Sequence, residues 1–209
     1  EISACLVGSE MCIRDSCEEP RPLALHPLIE ARTTPTLAYV RRIVTDPDPI
    51  LQKVAKKISD LELKMPLTQQ LIDDMVETMH AAPGIGLAAP QVGIGKRIIV
   101  VHVGDEDGPY VVVNPVLDEF EGEAVATEGC LSIPGIVGDV KRAVRCSVNG
   151  LDRKGRKFRL EAEGLLARCF QHEVDHLDGV LITDKAENIR EAVPVVAEAE
   201  TSDEATVEI

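Results

Sequence analysis

Leu71, Ile72, Met75, Val76 and Met79 recur at helical spacing and form a single apolar stripe. A helix is therefore expected over about residues 67–80, with its methionines in the core, and Pro83-Gly84 stops it. Beyond that point the period changes to two. Residues 97–103 and 110–117 are runs rich in β-branched residues on either side of a Gly- and Asp-containing turn at 104–108, which reads as a hairpin. Residues 141–151 and 156–162 alternate in the same way about Asp152-Arg153-Lys154-Gly155, with Phe158 and Leu160 turned to the core. The helical period then returns. Leu165, Cys169, His172 and His176 fall on one stripe, Leu166, Phe170 and Leu177 on the next, and Gly164 and Asp178-Gly179 fit the two ends. One early helix, intervening strands and a late helix describe an α+β domain rather than a doubly wound one.

The ends of the chain lack this patterning. Residues 1–36 are expected to be a non-native or disordered extension, because residues 1–16 carry no periodicity that continues and the chain to about Thr36 is rich in Pro, Thr and Arg. The basic character of residues 21–42 leaves a transit peptide open. Residues 37–188 are expected to be one domain, and residues 189–209 an acidic, disordered tail; from Glu187 the composition of Ala, Val, Glu and Thr supports a marginal helix at best. With 44% hydrophobic but only 2% aromatic residues, the core must be built from Val, Ile, Leu and Ala. A net charge of −14 disfavours direct nucleic-acid binding, which needs clustered Lys and Arg. The six cysteines have no paired spacing, so a reducing compartment is the simpler reading, and no apolar run is long enough to span a bilayer.

The late helix carries the candidate chemistry, Gln171-His172-Glu173-Val174-Asp175-His176-Leu177-Asp178-Gly179. Histidines at i and i+4 put both imidazoles on one face, where they can share a metal ion. Glu173 would sit beside that ion, placed to take a proton from water rather than to ligate. Apolar neighbours argue against an ordinary solvated face. A hydrolytic metal site needs a third protein ligand. Position 182, where a metzincin would have a histidine, holds Ile182; Glu187 and Glu191 would suit a thermolysin-like arrangement. Cys130, in Glu128-Gly129-Cys130-Leu131-Ser132, is the better candidate, since a thiolate binds iron or zinc strongly and Gly129 lets backbone approach closely. A lone cysteine is otherwise a small buried hydrophobe. Asp175 is turned away from the imidazole face, and is expected to orient a neighbour or cap a local charge.

A third phrase, Gly84-Ile85-Gly86-Leu87-Ala88-Ala89-Pro90-Gln91, is a run of small residues closed by an amide that can donate to an oxyanion. In this order, over about residues 39–185, the three phrases resemble the peptide deformylase family. The resemblance implies antiparallel β-sheets packed around a central helix that carries the His-Glu-x-x-x-His motif. It implies removal of the formyl group from N-formylmethionine of nascent polypeptides, releasing formate. It further implies Cys130, His172 and His176 as metal ligands, Glu173 as general base, and Gln91 with the Leu131 backbone N–H as oxyanion donors. Ile85, Gly86 and Gly129 would contact the substrate. The metal would be one divalent ion, Fe(2+) first, with Zn, Ni or Co acceptable to the same donors. A cytoplasmic monomer is expected, with formylmethionyl nascent peptides and the ribosome near its exit tunnel as partners, and no membrane or direct nucleic-acid contact. Ala126 and Arg168 occupy places often held by apolar residues; an Arg168 not turned to solvent puts methionine preference in doubt. A zinc peptidase, which needs neither Cys130 nor Gln91, and a non-catalytic metal module remain the competing readings.

Overall fold

The structure, a computed structural model, describes residues 37–104 and 106–192; the expected N-terminal extension and residues 193–209 of the expected tail lie outside the described residues. In chain order the elements are α1 (Asp60–Leu63), α2 (Pro66–Ala81), β1 (Gly86–Ala88), β2 (Ile98–Val101), β3 (Tyr110–Glu121), β4 (Ala124–Cys130), β5 (Ile133–Arg142), β6 (Arg145–Leu151), β7 (Lys157–Glu163), α3 (Gly164–Leu177), α4 (Ile182–Lys185) and β8 (Glu187–Glu191). A five-stranded sheet runs β1-β2-β3-β6-β7 and a three-stranded sheet β4-β5-β8, with all neighbours antiparallel. This is the α+β arrangement expected from the alternation of periods. Among the described residues no helix is long and apolar enough to cross a membrane.

The strand β2 explains how the layers meet. All four of its residues are apolar and fully buried, because the two faces of the sheet are both covered. Ile98 and Val100 join a core with Ile72, Met75 and Met79 of α2; Ile99 and Val101 join a second core with Phe170 and Leu177 of α3. Burying each such side chain contributes about 1.5–3 kcal/mol. Both motif-bearing stretches, β1 and α3, are thereby fixed to one rigid strand. Pro66 stands at the start of α2, as its missing N–H permits, and Ala82 and Pro83 follow its end. At the far end of α3, Gly179 has φ +76° and a Cβ there would lie 2.7 Å from the Gln52 carbonyl, so only glycine fits.

Two expectations need correction. Residues 141–151 are not one strand: β5 ends at Arg142 and β6 starts at Arg145, so the chain changes sheets at Ala143-Val144. The corner is stable because the Gln171 amide on α3 accepts from the Ala143 N–H (3.0 Å) and donates to the Ala143 carbonyl (2.9 Å). Nor is the chain a free tail from Glu187 onward, although it is exposed there. Residues Glu187–Glu191 form β8 on the edge of the second sheet, pairing Glu187 with Asp139 and Glu191 with Ile136. Polar contacts hold this strand, Arg190 bonding Asp139 (3.0 Å) and Thr127 (2.8 Å), so no apolar alternation announces it.

The segment that opens the described chain is tied to α2. Asp74, 3% exposed, accepts from the Tyr39 N–H (2.8 Å), from Arg41 Nε (2.9 Å) and from Gln70 Nε2 (2.7 Å), and Arg41 N–H donates to Thr78 Oγ1. Farther along, the Val44 N–H bonds the Gln91 carbonyl (2.7 Å) and the Asp46 N–H the Ser132 carbonyl (2.9 Å), so one extended segment braces two of the three motifs. Burial pushes the Asp74 carboxyl up, but hydrogen bonds from Gln70, Tyr39 and Arg41 outweigh it and leave the pKa below 3.8. A depressed pKa means stabilisation that is present above the unfolded value and lost as pH falls through it. Asp74→Asn is therefore expected to lower urea stability by about 1.5–3 kcal/mol at pH 7, with a smaller gap near pH 3. A gap that does not shrink in acid would contradict this.

Candidate active site

The 3.6-residue period of α3 sets His172 and His176 one turn apart, with ring centres 5.0 Å from each other. Cys130, at the end of β4, meets them: its Sγ lies 3.2 Å from His176 Nε2. The ligand atoms of Cys130, His172 and His176 all lie within 4.8 Å of one another. The β4–β5 connection makes this possible, because register shifts between Gly129 and Cys130 and the turn at Leu131-Ser132 aims the thiol at α3. Glu187 and Glu191, the alternative third ligands, lie exposed on β8 and do not belong to this group.

The donor set suits a cation. His172 Nδ1–H donates to Glu128 Oε2 (2.9 Å), which directs its other nitrogen to the cluster. Burial disfavours the His172 proton, but hydrogen bonds with Cys130 and Glu128 outweigh burial and raise its pKa to about 10. His176 goes the other way: burial, with positive His172 and Arg142 nearby, lowers it to about 3, leaving a neutral ring. Its Nδ1 is buried without a partner, so a proton resting there frees Nε2 as a lone-pair donor. One thiol and two imidazoles held this way form a group with the donor chemistry to hold a metal ion.

Glu173 is 3% exposed and its Oε2 has no partner. Burial raises its pKa to about 7, against the pull of His172 and Arg142, so the carboxyl exchanges a proton near neutrality. Gly86 shows why the glycine run must be glycine here: a Cβ would collide with the Glu173 carboxylate and lie 2.7 Å from Cys169 Sγ. Gln91 is 1% exposed; its side-chain carbonyl accepts from the Ala88 N–H (2.8 Å), which turns the NH2 toward Cys130 Sγ at 3.6 Å. Leu131, Ile85, Gly86 and Gly129 all line the same cavity of about 510 Å³. A Cβ on Gly129 would meet Val137 at 3.6 Å and the Ile136 carbonyl at 3.8 Å, both ordinary contacts, so that glycine relieves no clash.

Charged residues that sequence reasoning missed surround the metal group. Glu128, 7% exposed, takes Arg142 Nε (2.6 Å) and Arg168 Nη1 (2.6 Å) on one oxygen and Arg142 Nη2 (2.9 Å) and His172 on the other. Burial raises its pKa, yet the bonds from His172 and Arg142 hold it down to about 2. Asp175 orients a neighbour as expected, binding Arg142 (2.8 Å) and Lys185 (2.6 Å). Two signals could have found this cluster: Glu128 lies two residues before Cys130 on one strand face, and Arg142 holds an inward position of the β5 alternation after Val140. Arg168 does not point to solvent. Its guanidinium bonds Glu128 and the carbonyls of Val140 (2.9 Å) and Ala124 (2.8 Å), so the cavity wall it forms carries a balanced charge. Ala126 is exposed and is not among the residues lining the cavity.

A sequence model of one family, Polypeptide deformylase, matches residues 40–192. The chain belongs to that family. It is 50% identical over 169 residues to a peptide deformylase of Symbiobacterium thermophilum, covering 80% of this chain and 75% of the relative. A Halothermothrix orenii peptide deformylase is 51% identical over 144 residues, 69% of this chain and 92% of its own. Among solved structures, peptide deformylase from Synechococcus elongatus in complex with actinonin has a TM-score of 0.67 at 45% identity, covering 73% of this chain and 84% of that one. The Thermotoga maritima peptide deformylase has a TM-score of 0.66 at 42% identity, with 73% and 99% covered. This peptide deformylase is thus a metal-dependent hydrolase that removes the N-formyl group from nascent polypeptides, and the zinc peptidase reading gives way to it.

Proposed function

We propose that Cys130, His172 and His176 hold iron(II), that Glu173 is the general base and acid, and that Gln91 Nε2 and the Leu131 N–H receive the oxyanion. The observation that carries this reading is the buried, unpartnered Glu173 Oε2 beside three convergent donor atoms. A divalent ion held by three protein ligands supplies an open position and Lewis acidity, which makes water a nucleophile near neutral pH. Glu173 accepts the proton of the attacking water and returns it to the departing amine. The Gln91 amide, its orientation set by Ala88, donates to the carbonyl oxygen as it becomes negative. Pro83, Gly84, Ile85 and Leu165 line the part of the cavity where the methionine side chain would lie, Arg168 meeting it as a guanidinium already paired with Glu128, and Gly86 and Gly129 would lie along the substrate backbone.

Because the scissile bond lies at a chain end and the formyl group is small, enclosure on one side of the ion suffices. A substrate that exists only at the start of a new chain supports action in the cytoplasm, close to the ribosome exit. Roles divide the expected effects of substitution. Glu173→Gln should retain metal while losing about 10²–10⁴ in turnover, whereas Cys130→Ala should lose the metal itself; metal content per chain measured beside deformylation separates them. A metal-free Glu173→Gln protein would overturn the assignment. For the ion, soft thiolate and imidazole donors accept iron, zinc, nickel or cobalt. Anaerobic iron(II) enzyme is expected to turn over faster than zinc enzyme and to decay in air as thiolate and ferrous ion oxidise; equal rates would contradict iron as the working metal.

A further inference from the structure

His80 and His102 lie outside all three motifs, yet they meet. His80 stands in the last turn of α2 and His102 directly after β2, and His80 Nε2 is 3.1 Å from His102 Nδ1. The ring centres are 5.3 Å apart. That separation exceeds the nitrogen–nitrogen distance by nearly two imidazole ring radii, so the two nitrogens face each other along the line joining the rings. Such an arrangement is an N–H···N hydrogen bond; nitrogens sharing an ion would instead meet at an angle.

Residues 82–85 join α2 to β1, and Pro83, Gly84 and Ile85 of this connection line the cavity. Its ends are held by the same pair. His80 belongs to a helix whose neighbouring Met79 and Thr78 are buried, and the His102 N–H donates to the Ile85 carbonyl (2.8 Å) next to buried Val101. Between them the Ala82 N–H closes the last turn of α2 on the Thr78 carbonyl (2.9 Å) and the Gly84 N–H bonds the Ala82 carbonyl (2.6 Å), while Gly84 packs so closely on Leu131 that a Cβ would lie 2.8 Å from its side chain. We propose that His80 and His102 form a clasp that positions this wall against the substrate side chain. The proposal rests on the reading of the wall as the methionine seat.

The test uses the metal-loaded enzyme and a formyl-methionyl peptide. His80→Ala and His102→Ala should each raise KM about three- to tenfold, the size of one net hydrogen bond, with kcat within about twofold. The double variant should be no worse than either single one, and His80→Gln, whose amide N–H can still reach His102 Nδ1, should restore most of the loss. Ile85→Ala serves as the reference for the wall itself. If it raises KM while the histidine variants do not, or if the two histidine effects simply add, the clasp is overturned. If none of the three positions moves KM, the methionine seat lies elsewhere and the clasp falls with it. Equal losses in kcat at unchanged KM would also overturn it, since they would mark general damage rather than a positioned wall.

Discussion

The carboxylate of Glu128 is the point where the three-stranded sheet, α3 and the Cys-His-His group depend on one another. It is nearly excluded from water, and each oxygen accepts two bonds, from Arg142, Arg168 and His172. A buried carboxylate is costly unless every lone pair is used, and here the partners come from β5 and from α3. The same contacts that neutralise the charge therefore fasten β4 and β5 to the helix. Arg142 extends the chain of pairs through Asp175 to Lys185, so four elements of the fold share one polar cluster. Removing one partner from such a cluster is expected to cost about 3–5 kcal/mol, more than the mean surface substitution by severalfold.

What the sequence disclosed follows from period and chemistry. The spacing of His172 and His176 is legible because a helix has one geometry, and β2 is legible as an apolar run bounded by turn residues. The three-stranded sheet was not legible. The β4 strand is exposed on most of its length and β8 throughout, so neither shows a buried alternating face, and Arg190 with Asp139 and Thr127 does the pairing that apolar residues do elsewhere. The sheet change at Ala143-Val144 escaped for a different reason: its signal is a long-range bond from Gln171, a residue that in sequence reads only as the start of the histidine motif. Glu128 and Arg142, likewise, matter through partners far along the chain.

The site also shows how one burial gives opposite results. His176 and Glu173 sit near each other in water-poor surroundings; burial drives the imidazole to its neutral form and raises the carboxyl toward neutrality. The proposed division of labour, His176 as lone-pair donor and Glu173 as proton acceptor, rests on this difference. His172 escapes this trend because Glu128 and Cys130 face it. A chain with a net charge of −14 thus builds a local environment in which two arginines balance the carboxylate behind the metal group.

If Glu128 sets the orientation and basicity of His172, its charge must register in the affinity of the site for metal. Dissociation of the divalent ion from Glu128→Gln, measured by chelator competition in protein whose secondary structure matches the parent, tests this directly. Loss of such a supporting carboxylate is expected to weaken metal binding by about 10- to 100-fold. Affinity equal to that of the parent would contradict the account.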